Sequence, residues 1–312
     1  MADGAAYDPK KGSWRKLAAS PLVGRTGAAF AWTGDALIVW GGRGGTTNFS
    51  PRANGAAYEP GEDRWSALPA GPLAARWGPS AVWTGREVLF WGGANDGSND
   101  DVRFKDGAAY SPAARKWRIL STAPISARSG HGAIWTGTEM IVWGGVSGSP
   151  TDGSFRKDGA AYDPRTDRWR KLAVAPINGR WNHQLVWTGS EMIVSGGYPG
   201  SDRFETRDAA YDPASDQWRL LAKSRLSVRF GHQATWTGTD ILLTGGHGGQ
   251  DNPPLTSDAR YDVAKDQWSS LSPSHCLAGG GHSATWTGAD LIIFGCGIEA
   301  AVSLPLAAAI RP

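Results

Sequence analysis

The sequence predicts an all-β chain built from six copies of one unit, each unit a four-stranded antiparallel meander. Three observations carry this. A Trp-Thr-Gly core recurs at Trp32, Trp83, Trp135, Trp187, Trp236 and Trp286, a period of about fifty residues. A tyrosine recurs at Tyr7, Tyr58, Tyr110, Tyr162, Tyr211 and Tyr261, with a tryptophan seven residues after each, at Trp14, Trp65, Trp117, Trp169, Trp218 and Trp268. Glycine supplies 43 of 312 residues, about twice the ordinary usage of roughly 7%, and it falls at fixed offsets, which marks tight turns. A repeat of this length forms one domain however long the array runs.

The third copy shows the elements in order. Arg128-Ser129-Gly130-His131 leads into a first strand that ends at Trp135. A turn at Thr136-Gly137 follows, where glycine takes positive φ without a Cβ clash. The second strand, Met140 to Trp143, ends in the pair Gly144-Gly145, and a polar loop of about a dozen residues comes next. The third strand, Gly159-Ala160-Ala161-Tyr162, stops at Asp163-Pro164, a turn-forming pair. The fourth, Trp169 to Leu172, precedes a loop with Pro176 that reaches Arg180 and the next copy. All four runs are short, β-prone and bounded by turn residues. Such sheets cannot bury both faces alone, so they pack radially on one another, with large aromatics filling the gaps between them.

Composition narrows the function classes. There are 32 basic and 29 acidic residues, a formal net charge of +3, and no run of five like charges. No nucleic-acid-binding tail is expected. No apolar run reaches the roughly 18 residues of a membrane helix, so membrane insertion is not expected. Met1-Ala2-Asp3-Gly4 has neither the basic nor the apolar region of a leader. The two cysteines, Cys276 and Cys296, make no disulfide framework. Compartment stays open between cytoplasm and an export route with the leader removed. There is no Gly-x-Ser-x-Gly elbow, no His-Glu-x-x-His and no Walker loop.

The glycine pair after an apolar strand, the Tyr seven residues before a Trp, and the Arg-x-Gly-His lead-in resemble the kelch repeat. The resemblance spans about residues 4–296. It implies a six-bladed β-propeller with four antiparallel strands per blade, occupying residues 1–296, followed by an apolar tail at 297–312 packed on or beside the last blade. Because the chain starts in mid-unit, the ring is expected to close by residues of about 4–18 pairing with residues of about 282–295, which would remove exposed sheet edges. A monomer is expected.

The same resemblance places the lead-in loops around a central channel. Seven residues before the Trp of each core stand Arg25, Arg76, Arg128, Arg180 and Arg229, with Gly279 in the sixth copy and no acidic residue at matching positions. Guanidinium forks hold carboxylates and phosphates, so the partner expected is an anionic small molecule or an acidic peptide. The alternative role of these arginines is to bond loop carbonyls as part of the repeat. The next residue varies as Thr26, Trp77, Ser129, Trp181, Phe230 and Gly280, and positions that escape a repeat are where function is grafted onto a symmetric scaffold. Trp77, Trp181 and Phe230 are therefore ligand candidates, with Asn182, which replaces a glycine of the other copies.

His131, His183, His232 and His282 share one offset. As part of the kelch pattern they read as structural, and no metal or other cofactor is assigned. Whether the domain is also an enzyme is left open. An isomerase, mutarotase, lyase or cyclase acting on a small anion in the same funnel is the alternative to pure binding, with His275, Cys276, Cys296 and His183 as candidate catalytic groups. Cys276 and Cys296 fit a disulfide, a reactive thiol or two unrelated cysteines. Six of the seven tyrosines are the repeat tyrosine, leaving Tyr198, so the tyrosine–cysteine copper chemistry of galactose-oxidase-like rings is not expected. The loop Asn95 to Asp101 is acidic but lacks the terminal Glu of an EF-hand.

Overall fold

A computed structural model describes residues 4–45, 50–97, 100–148, 154–200, 207–224, 226–248, 254–271, 281–295 and 302–305. Every element among them is a strand. β1 (Ala5–Asp8) and β2 (Ser13–Lys16) form a hairpin. β3 (Arg25–Trp32), β4 (Leu37–Gly44), β6 (Gly55–Glu59) and β7 (Arg64–Ala67) form an antiparallel sheet in chain order, with β5 (Ser50–Pro51) beside β4. The next sheet is β8 (Ser80–Trp83), β9 (Val88–Trp91), β12 (Gly107–Ser111) and β13 (Lys116–Ile119), with β10 (Ala94–Gly97) and β11 (Asp100–Arg103) as a separate hairpin in its loop. Three further four-stranded sheets follow the same order. They are β14 (Gly132–Trp135), β15 (Met140–Trp143), β16 (Gly159–Asp163) and β17 (Arg168–Lys171); then β18 (Gln184–Trp187), β19 (Met192–Ser195), β20 (Ala209–Asp212) and β21 (Gln217–Leu220); then β22 (Gln233–Trp236), β23 (Asp240–Thr244), β24 (Asp258–Asp262) and β25 (Gln267–Leu271). The last sheet has three strands, β26 (Ser283–Trp286), β27 (Asp290–Phe294) and β28 (Val302–Pro305).

The expected closing pair is not formed among these strands. β1 pairs with β2 alone, and the place beside β27 is taken by β28, with Leu291 opposite Leu304 and Ile293 opposite Val302. A short connection back from β27 costs less closure entropy than joining the two ends of the chain, and the Val302-Ser303-Leu304 alternation suits a strand. This part of the apolar tail is therefore sheet.

The chain divides into two compact units, one of Met1–Ile141, Ser147–Asp152 and Ala160–Arg170, the other of Val142–Val146, Gly153–Gly159 and Lys171–Pro312. In the first unit Ile38, Trp40, Leu73, Val88, Phe90 and Tyr110 are buried together, with Trp117 packed on them. The Trp40, Phe90 and Trp117 rings meet at 5.5–6.1 Å. In the second, Val186, Ile193, Leu221, Ile241, Leu243 and Tyr261 do the same, with Trp268 alongside. Each such side chain contributes about 1.5–3 kcal/mol on burial.

Polar staples repeat as regularly as the core. In the opening hairpin turn, Thr136 Oγ1 accepts the Glu139 N–H at 2.9 Å, and Gly137 sits at φ 101°. The fourth-strand tryptophan donates its indole N–H to the preceding copy: Trp65 to Ala18 O, Trp117 to Pro69 O, Trp169 to Ser121 O, Trp218 to Ala173 O and Trp268 to Ala222 O, all at 2.9–3.1 Å. At Tyr58, Tyr162, Tyr211 and Tyr261 the repeat tyrosine donates to an aspartate five residues on, as Tyr162 does to Asp167 at 2.6 Å. That aspartate also accepts the Ser121 N–H at 3.0 Å.

Candidate functional site

The lead-in arginines are built into the sheets. Arg76, Arg128, Arg180 and Arg229 are at most 2% exposed. Arg76 donates to Ala74 O (3.0 Å), Gly92 O (3.2 Å) and both oxygens of Asp106 (2.8 and 3.1 Å), with its guanidinium 3.9 Å over the Phe104 ring. Arg128 donates to Ser126 O and Oγ (3.0 and 3.1 Å). Arg180 donates to Asn178 O (3.1 Å), Gly196 O (2.8 Å) and Arg207 O (3.2 Å). Arg229 donates to Gly245 O (3.0 Å) and to Ser257 O and Oγ (2.7 and 2.8 Å). Desolvation holds the Arg180 guanidinium below its ordinary range, offset in part by the Asp208 charge. The sequence shows no acid at matching positions because the acids come from the start of the third strand, Asp106 being thirty residues beyond Arg76. Arg25 is the exception in exposure: it is half-buried and bonds Gly41 O (3.0 Å) and Asn54 O and Oδ1 (both 3.2 Å).

The residue after each arginine behaves differently. Trp77, Trp181 and Phe230 keep part of their surface exposed. Each is fixed through its backbone to the loop after its own glycine pair. Trp77 exchanges two hydrogen bonds with Ala94 (2.9 Å each), Trp181 with Tyr198 (3.0 and 2.8 Å) and Phe230 with His247 (3.0 and 2.9 Å). In the first unit, the Arg43 guanidinium lies 4.7 Å from the Trp77 ring centroid, within cation–π range. In the second unit, rings run in file: Phe155 to Tyr198 at 6.0 Å, Tyr198 to Phe230 at 5.6 Å, and Phe230 to His247 at 6.0 Å. Sequence reasoning missed Arg43, Phe155 and His247. Tyr198 was visible as the one tyrosine outside the repeat.

Asn182 is exposed at φ 55°. Gly27, Gly78, Gly130 and Gly231 hold the same place at φ 62–63°. The position needs left-handed backbone, which asparagine tolerates better than most residues, so its presence has a backbone reason.

The histidines lie in the packing. His131 and His183 stand edge-on to Trp91 and Trp143, with centroids 5.0 and 5.1 Å apart. His282 Nε2 is 2.9 Å from Thr244 Oγ1. A Cβ at Gly144, itself at φ 72°, would lie 2.6 Å from the His183 ring, which explains that glycine. Desolvation, then the Arg229 charge, pushes His232 down to about 3; desolvation, then Arg128, does the same to His131. Among the described residues no three His, Cys, Asp or Glu side chains gather to hold a metal, and no helix is long and apolar enough to cross a membrane. The candidates His275, Cys276 and Cys296 lie outside the described residues.

Repeated four-stranded antiparallel sheets, linked copy to copy by tryptophan indole bonds and each braced by its own arginine, are those of a β-propeller-type repeat protein. The model of the KLHDC2/KLHL20/DRC7 Kelch-repeats domain matches residues 78–296, well over half of the chain. The chain belongs to the kelch-repeat family. No curated protein matches it.

Proposed function

We propose that the protein is a kelch-repeat binding module, its six repeats forming six blades, that takes a protein partner through the variable residues of its lead-in loops. One observation carries this reading. Directly after a constant, buried arginine, the chain places large aromatic side chains with exposed surface, Trp77, Trp181 and Phe230, each on a backbone bridge that fixes its position. Rigid aromatic anchors on a stable frame are what partner binding uses. An acidic peptide or anionic ligand suits this end, because Arg43 over Trp77 adds positive charge to an aromatic surface.

Catalysis on a small anion, as an isomerase, mutarotase, lyase or cyclase, needs a titratable group within reach of the substrate. His183, His232 and His282 are buried, which favours binding. The test is to select acidic and neutral peptides on the full chain and measure each Kd on the wild type and on the Trp181→Ala/Phe230→Ala double variant. A loss of tenfold or more is expected. Unchanged affinity for every selected peptide would overturn the reading.

A further inference from the structure

The first copy breaks the arginine pattern in a way that leaves positive charge unbalanced. In the second copy the staple Arg76 is matched by Asp106. At the place of Asp106, four residues before the repeat tyrosine, the first copy has the neutral Asn54. Asn54 gives Arg25 only a carbonyl and an amide oxygen, on the one nitrogen Nη1. Arg25 Nε is used by Val23 O at 3.1 Å. Among the described residues its Nη2 is buried with no hydrogen-bond partner.

A second arginine stands beside it. Arg52 donates from Nη2 to Gly44 O at 2.7 Å, while its Nε is also buried without a hydrogen-bond partner among the described residues. Both side chains line one cavity of about 540 Å³, walled by Pro21, Leu68 and Pro69 and by Asn54, with no carboxylate among the described residues of its lining. Desolvation first, and then the charge of Arg52, depress the Arg25 guanidinium. Two cations thus repel one another in a walled groove, each with a donor that has no acceptor among the described residues. Buried donors without partners are costly, and an oxyanion would satisfy both donors and cancel the repulsion.

We propose that this groove is an oxyanion site, in which a carboxylate or phosphate group accepts hydrogen bonds from Arg25 Nη2 and Arg52 Nε. It lies within the first unit and does not depend on the aromatic positions of the binding reading. The carboxylate source is the acidic side chain of a peptide; the phosphate source is the free ion. Two probes separate them: inorganic phosphate and N-acetyl-glutamate amide, each titrated into the full chain by calorimetry at ionic strength held constant with sodium chloride. The variants are Arg52→Gln and Asn54→Asp. The second installs the acid that the next copy already has, so it should fold well whatever Arg52→Gln does.

Saturable binding of either probe, weakened at least tenfold by Asn54→Asp, is the expected result. Without any added anion, Asn54→Asp should also raise the thermal midpoint, because it supplies the missing counter-charge. If neither probe binds beyond the chloride control, or if binding survives in both variants, the proposal fails. Aromatic variants that abolish peptide binding yet leave the phosphate titration intact would separate this site from the lead-in surface.

Discussion

At the scale of single residues, the lead-in offset holds a buried arginine staple while the residue beside it keeps exposed surface. Arg180 spends its donors on Asn178, Gly196 and Arg207, while Trp181 beside it keeps exposed surface. The histidines carry a pH consequence. His232 is fully buried, with a folded pKa of about 3 against about 6.5 when unfolded. A depressed histidine gives stability that is present above the unfolded value and lost as pH falls from there toward the folded one. Denaturant midpoints should therefore hold steady above pH 6.5 and decline below it, and His232→Gln should flatten part of that decline. Asp208 runs the other way. Desolvation raises it, although Gly196 N–H and Ser195 Oγ bond it at 3.0 and 3.2 Å. Its contribution is present below the unfolded pKa and lost as pH rises through the folded one, so Asp208→Asn should be at least as stable as wild type at pH 7. The variation at Trp77, Trp181 and Phe230 was legible in the sequence because the repeat around them is constant. The burial of the arginines was not, because their partners come from carbonyls, which sequence does not show, and from acids thirty residues away.

At the scale of elements, two coupled exchanges explain where the repeat departs from itself. Trp91 and Trp143 end the second strand opposite Gly107 and Gly159, and a Cβ at Gly107 would stand 3.0 Å from the Trp91 indole. In the next two copies the tryptophan becomes Ser195 or Thr244, and the glycine becomes Asp208 or Asp258. The aspartate then takes the glycine-pair N–H, as Asp258 does for Gly245 at 3.0 Å. Gly107→Asp alone should cost about 3 kcal/mol or more as an overpacked, poorly paired buried acid. Combined with Trp91→Ser it should recover at least about 1 kcal/mol of that cost, read as the coupling of a double-mutant cycle.

The second exchange concerns the tyrosine latch. Asp63, Asp167, Asp216 and Asp266 each accept an N–H from the preceding copy, from Ala18, Ser121, Ala173 and Ala222. For the second copy's latch the matching donor position in the preceding copy is Pro69, which has no N–H, and the latch aspartate is replaced by Arg115 at φ 52°. Arg115 bonds Ala67 O instead, at 3.0 Å. Pro69→Ala with Arg115→Asp should gain about 1 kcal/mol by chemical denaturation, and either change alone should gain less.

At the scale of the whole molecule, the period made the sheets legible before any coordinates: six copies of four short runs left little room for another fold class. The terminal pairing was less legible, because a strand such as Val302–Pro305 carries no repeat signature and wins its place by nearness to β27. The opening hairpin is nonetheless tied into its own unit. Arg15 reaches Tyr58 OH at 3.1 Å and Asp63 at 3.1 Å, and Trp65 donates to Ala18 O. The buried arginines form a frame, and the proposed partner surface is made of their changeable neighbours. Thermal unfolding of Arg180→Ala beside Trp181→Ala tests that division most directly. Removing Arg180 leaves buried carbonyls and Asp208 without their cation, a loss of about 3–5 kcal/mol. The expected result is a midpoint lowered by at least about 6 °C for Arg180→Ala and nearly unchanged for Trp181→Ala. A stable Arg180→Ala protein, with the large loss falling on Trp181→Ala, would contradict it.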